Sequence, residues 1–172
     1  YIISVLSQSS SPIFVNSYFV GTNGETAPRF LAFNTDGTKM FVVGGQKDML
    51  LEYTLSTGYD LTTLTYAGNN ERYNLHISNA TGDPQPRGIA FNNDGTEMFI
   101  VGNAADEVNE YHLATAFDIS TASHDSRIDI TATVGTGPND LKFSADGTKM
   151  FITNNTTTKI FVFTLTIGFD VI

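Results

Sequence analysis

An all-β fold of three repeated antiparallel units follows from three features of this 172-residue chain. The first is a motif present three times: Phe33-Asn-Thr-Asp-Gly-Thr-Lys-Met-Phe41, Phe91-Asn-Asn-Asp-Gly-Thr-Glu-Met-Phe99 and Phe143-Ser-Ala-Asp-Gly-Thr-Lys-Met-Phe151, with starts 58 and 52 residues apart. The second is a set of landmarks at fixed offsets. Pro28, Pro86 and Pro138 precede the motif, Tyr53, Tyr111 and Phe163 follow it, and Asp60, Asp118 and Asp170 close each 33-residue unit. The third is apolar residues on consecutive positions, which marks strands covered on both faces. Four short antiparallel strands, covered on both sides and repeated about every 50 residues, make a β-propeller blade.

The first strand of each unit is Phe30–Phe33, Gly88–Phe91 and Asp140–Phe143. The second is Met40–Val43, Met98–Val101 and Met150–Thr153. Asp-Gly lies between them in every copy. It tolerates the positive φ of a tight turn and predicts a hairpin. The third strand is Leu50–Leu55, Val108–Leu113 and Ile160–Leu165. Connectors of variable length supply the fourth, near Leu64–Tyr66 with Tyr73–Ile77, and near Ile128–Val134.

Composition narrows the functions. Net charge is −9, which excludes a sequence-independent grip on nucleic acid and docking on anionic lipid. With no cysteine, a disulfide scaffold, a thiolate zinc site and a cysteine nucleophile are excluded. No apolar run reaches the 18 or so residues of a membrane-spanning helix. The opening Tyr1-Ile-Ile-Ser reads as the start of a processed product or an excerpt.

The pattern Pro-x-x-(Leu/Ile)-x-Phe-x-x-Asp-Gly-Thr-x-Met-Phe, followed by Glu-Tyr-x-Leu in two units and an aromatic-Asp pair in all three, resembles propeller repeats of the YVTN and lactonase-like group. It is also similar to repeat proteins of marine bacteria and phages, many of them virion-associated. The likeness runs from Pro28 to Ile172. The proline usual in that group before the aromatic-Asp pair is replaced by Gly58, Ala116 and Gly168.

The expected organisation is an N-terminal segment 1–27 whose outer strand, Phe14–Val20, completes a blade. Blade 1 follows at 28–85, blade 2 at 86–137, and blade 3 at 138–172 without its outer strand. Known rings need about four blades or more. The chain is therefore an excerpt of a longer propeller, half of a six-bladed ring closed by a second copy, or an open arc docked on another protein. An isolated arc exposes an apolar blade face and a strand edge, and such surface recruits a partner.

Candidate sites lie on the rims. Asp36, Asp94 and Asp146 sit one per blade in the Asp-Gly turns, where calcium would need six to eight converging oxygens, so they read as turn residues. The opposite rim varies in chemistry at constant length, as a binding rim does. Its candidates are Arg29, Gln46, Lys47, Asp48, Arg87, Asn103, Asp106, Asn139, Asn154 and Asn155. Arg29 and Arg87 follow the repeat proline and suit an anionic ligand, a series that Asn139 breaks. His76, His112 and His124 occupy non-equivalent positions and form no ring of ligands. No catalytic or phosphate-binding motif occurs, and no cofactor or metal is expected. These features predict a non-catalytic structural or recognition module, extracellular or on a virion surface, that self-associates or binds another structural protein. The alternatives are a glycan-binding propeller and a lactonase-like hydrolase.

Overall fold

A computed structural model describes residues 12–75 and 85–172. His76 and the connector Asn79–Asp83 lie outside the described residues. Three antiparallel sheets follow one another along the chain. The first contains β1 (Pro28–Phe33), β2 (Lys39–Gly44) and β3 (Met49–Leu55), with β4 (Leu64–Tyr66) and β5 (Arg72–Asn74) both paired to β3. The second runs β6 (Pro86–Phe91), β7 (Glu97–Gly102), β8 (Glu107–Leu113), β9 (Ala122–Asp129). The third runs β10 (Pro138–Phe143), β11 (Lys149–Asn154), β12 (Lys159–Thr164). These are the blades of a β-propeller. The first strands lie innermost in register, β6 packing on both β1 and β10.

The Asp-Gly hairpins form, but not as two-residue turns. Residues 34–38 separate β1 from β2, and Asp36 Oδ1 caps the loop by accepting from Thr38 N at 3.0 Å and from its hydroxyl at 2.6 Å. Gly37 alone takes the left-handed φ, at +73°, and a Cβ there would lie 2.5 Å from the Tyr59 ring. Gly95 under Phe117 and Gly147 under Phe169 repeat the arrangement. Hydrogen bonds from Ser144 and Thr148 hold the Asp146 carboxyl down to about 2.

Alternation on the second strands decides what touches what, because successive strand residues face opposite sides. Phe41, Val43 and Leu50 of blade 1 meet Ile89, Met98 and Ile100 of blade 2 in one fully buried cluster. Phe99, Val101 and Val108 of blade 2 meet Leu141, Met150 and Ile152 of blade 3 in the next. Odd-numbered residues of β2 and β7 thus pack forward on the next blade, and even-numbered ones of β7 and β11 pack backward on the blade before.

A carboxylate ties each seam. Glu52 Oε2 accepts from Ile119 N of blade 2 at 3.2 Å, and Oε1 pairs with Lys39 Nζ at 2.6 Å. Glu110, at the same place in blade 2, accepts from the Val171 backbone of blade 3 and from Ser126 Oγ at 3.0 Å.

Two strand expectations need correction. The fourth strand of blade 2 is Ala122–Asp129, not Ile128–Val134; Thr131–Val134 is a single helical turn, α1. Ser123, Asp125, Arg127 and Asp129 face solvent along an outer strand, whereas Ile130 and Val134 are buried against blade 3, so the apolar run marks the seam rather than the strand. In the N-terminal region, Pro12–Phe19 is exposed and forms no strand among the described residues, Tyr18 lying edge-on to the Tyr53 ring, and Val20–Asn23 is a 3-10 turn.

Candidate functional site

The loops between second and third strands form the variable rim, and backbone bonds fix their height: Gly45 N donates to Ala27 O, Asn103 N to Gln85 O and Asn155 N to Gly137 O. Each loop tip then takes one left-handed residue, at Asp48 (φ 53°), Asp106 (φ 55°) and Thr158 (φ 55°).

Several candidate residues are part of this scaffolding. Asp106 is buried, and its Oδ1 accepts from Gly137 N at 2.9 Å. Asn154 is buried; its Nδ2 donates to Val134 O and Thr136 O, and its Oδ1 accepts from Thr157 N at 2.8 Å. Gln46 and Lys47 point to solvent while their backbone N–H groups donate to Glu25. The Arg29 side chain covers Gly45 at the exposed end of blade 1.

Four of the expected residues come together. Arg87, Asn103, Asn139 and Asn155, with Gly137 and Thr156, line a recess of about 230 Å³ on the rim at the seam of blades 2 and 3. Its lining is one guanidinium, three carboxamides and a hydroxyl, with no carboxylate, in a chain of net charge −9. A guanidinium presents a planar fork to a carboxylate or phosphate, and carboxamides donate and accept to hydroxyls. Such a set has the chemistry to suit an anionic, hydroxylated group. The volume is below the ~300 Å³ of a typical small-molecule site, so it accommodates one end of a ligand.

A charged pair on β10, outside the lining of the recess, was passed over by sequence reading. Asp140 follows Asn139 on β10; Lys142 Nζ lies 3.3 Å from Asp140 Oδ1 and donates to Ile89 O of blade 2 at 3.1 Å. The equivalent positions hold Phe30 and Ala32 in blade 1, Gly88 and Ala90 in blade 2. Gly88 is required, since a Cβ there would meet Asp140 Oδ1 at 2.2 Å. Glu25 was also missed. It is wholly buried, its carboxylate bound by the N–H groups of Ala27, Gln46 and Lys47. Only its place three residues before a repeat proline hinted at a role.

Glu52, Glu71 and Asp118 bring carboxylate oxygens within 4.8 Å of one another at the blade 1–2 seam. Lys39 and Ile119 N–H occupy Glu52 there. Burial, then the neighbouring Asp118 carboxylate, pushes the Glu71 carboxyl above its ordinary range. His112 on β8 bonds Glu97 at 2.8 Å and His124 on β9 bonds Asn109 at 3.2 Å, and neither lines the recess.

No family model and no curated protein sequence matches the chain. Solved structures do. A putative 6-phosphogluconolactonase from Bacteroides uniformis matches at 17% identity and TM-score 0.59, over 84% of this chain and 40% of its own. One from Bacteroides fragilis matches at 16% identity and TM-score 0.57, over 80% and 34%. The β-propeller domain of a protein from Myceliophteria thermophila matches at 10% identity and TM-score 0.53, over 79% and 39%. The chain thus spans about two fifths of these proteins or less, and at such identities the likeness is one of fold. It corrects the expectation of a non-catalytic module: lactonase-like propeller proteins, two of them named as enzymes, stand among its structural neighbours.

Proposed function

We propose that the chain is part of a lactonase-like hydrolase whose substrate is a sugar lactone bearing an anionic group. The observation that carries this reading is the carboxylate-free recess, where Arg87 faces the seam with Asn103, Asn139 and Asn155. The names of the structural neighbours supply the reaction class. In this reading Arg87 binds the phosphate or carboxylate and the carboxamides bind hydroxyls. Asp140, which follows Asn139 on β10, is the general base of this reading. It takes a proton from water as the water oxygen bonds to the lactone carbonyl carbon. The ring C–O bond then breaks, and the leaving oxygen recovers the proton.

The test is pH-stat hydrolysis of glucono-δ-lactone and its 6-phosphate by the purified chain. Turnover above the spontaneous rate, faster for the phosphate ester, is expected; no acceleration of either overturns the reading. Arg87→Ala is expected to raise KM for the phosphate ester at least ~30-fold, the loss of a charge-assisted hydrogen-bond pair. Asp140→Asn is expected to lower kcat ~100-fold or more with little change in KM, as removal of a general base does.

A further inference from the structure

We propose that Glu71 is a proton switch at the seam of blades 1 and 2. With its proton, the carboxyl donates to the Asp118 carboxylate and docks an excursion of blade 1's outer strand on blade 2; when the proton passes to solvent, the excursion comes free. The argument rests on the fold and is independent of the hydrolase reading. It starts from the outer strands of the two blades. In blade 2 that strand is continuous, β9, with one extra residue, Asp125, between the partners of Glu110 and Tyr111. In blade 1 it is split into β4 and β5. Register sets the correspondence. Arg72 pairs with Leu51 as Arg127 pairs with Asn109, so Glu71 stands where Ser126 stands. Blade 1 has three residues more than blade 2 between the capping aspartate, Asp60 or Asp118, and the residue that closes the strand, Leu75 or Ile130. The surplus makes the excursion at residues 67–71. Both its ends hook on one residue: Ala67 N donates to Glu52 O at 3.2 Å, and Glu52 N to Glu71 O at 3.0 Å. Asn69 and Asn70 at its tip are exposed.

At this shared position each blade needs a hydrogen-bond donor. In blade 2 the donor is Ser126, whose Oγ gives its proton to Glu110 Oε2 at 3.0 Å. In blade 1 a carboxyl stands there, and a carboxyl donates only when protonated. Glu71 Oε2 is buried with no hydrogen-bond partner among the described residues. A Glu71 carboxylate oxygen lies within 4.8 Å of oxygens of both Glu52 and Asp118. Acceptors thus face acceptors, an arrangement that a single proton relieves. The groups facing Glu71 are Glu52 from β3, Lys39 from β2, and Asp118 and Ser120 from the 3-10 turn Ile119–Thr121 and its cap. Lys39 Nζ is committed to Glu52 Oε1 at 2.6 Å and to Phe117 O at 2.8 Å. Ser120 gives its hydroxyl to Asp118 Oδ1 at 2.6 Å. Arg72, next along β5, is exposed. Burial and the Asp118 carboxylate accordingly hold the Glu71 carboxyl above its ordinary range, against the pull of Lys39 and Ser120. A carboxyl raised in this way keeps its proton in the docked form. Docking is therefore complete below the ordinary 4.5 and is lost as pH rises through the raised value.

Hydrogen–deuterium exchange of the purified chain, read on the peptide spanning residues 64–74, measures the docking. Glu71→Gln carries a carboxamide that donates at every pH. At neutral pH this variant is expected to exchange there about tenfold more slowly than the wild type, and at about pH 4 the two are expected to match. Glu71→Ser, which installs the hydroxyl of blade 2, is expected to lose the pH dependence in the same way. Carbon-13 NMR of the Glu71 carboxyl reads the proton itself. Its midpoint is expected above 4.5, and Asp118→Asn is expected to bring it down toward that value. A wild-type midpoint at or below 4.5 overturns the proposal. So does exchange of wild type and Glu71→Gln that matches at both pH values. Protection that added calcium confers at neutral pH and acid does not would give the cluster to a cation, and overturns it too.

Discussion

The two internal seams are built to one plan and differ in one charge. At the first, Glu52 pairs with Lys39. At the second, Glu110 has Glu97 where the lysine would be, with Asp170 also near. Burial is the main cause that pushes both carboxyls above the usual range; Lys39 opposes it at Glu52, whereas Glu97 and Asp170 add to it at Glu110. Both glutamates still accept a backbone N–H from the next blade. What ties a seam is therefore the acceptor, and the charge on it is incidental: it is compensated at one seam and merely tolerated at the other.

Variants sharpen this contrast. Phe41→Ala and Phe99→Ala each empty a fully buried aromatic site of the apolar seam and are expected to cost about 4 kcal/mol. Urea unfolding checks this, and values differing by more than ~1 kcal/mol would mean the seams do not share a plan. Glu52→Ala leaves Lys39 and Ile119 N–H without their acceptor. The expected cost is about 2 kcal/mol, less than for a fully buried pair because the Lys39 side chain is 27% exposed. Glu110→Gln keeps an acceptor and removes the repelled charge, so the change is expected within ~1 kcal/mol of zero. A loss as large as that of Glu52→Ala would make the charge essential. Glu97→Lys converts the second seam to the first and is expected to add about 0.5 kcal/mol, net of its lost bond to His112.

The smallest expected effect is with pH. Carboxyls at Glu52, Glu71 and Glu110 are raised in the folded state, so their ionisation opposes folding above those raised values. That cost disappears as pH falls toward the ordinary 4.5. The turn carboxyls of Asp36, Asp94 and Asp146 are depressed, so their contribution is present above 3.8 and lost below it, for Asp146 toward about 2. The melting temperature is expected to rise slightly from neutral pH to about pH 4.5 and to fall below 3.8. A monotonic fall from pH 7 would contradict the raised values.

The blade was legible because identity between units exposed it. Phe41, Phe99 and Phe151 share one place, and residues that recur at every unit have geometric causes, such as Gly37 beneath Tyr59. What differs between units was harder to read. Polar alternation hid β9, since outer strands face water on one side and look like connectors. Glu25, Asp106 and Asn154 solve one problem, the anchoring of a rim loop, with three side chains at three places. The recess was half visible: Arg87, Asn103, Asn139 and Asn155 stood out as rim polar groups, but their convergence depends on two blades meeting at an angle no spacing encodes. Asp140 was hidden because its seat is the missing side chain of Gly88, 52 residues earlier.

The aromatic lids over the buried turn glycines have a further consequence. Tyr59, Phe117 and Phe169 are each held in left-handed backbone by the structure they close, so turn and lid can change only in concert. One border of every blade is thereby frozen against gradual substitution. The other, anchored by interchangeable parts, is left open for selection to rewrite one loop at a time.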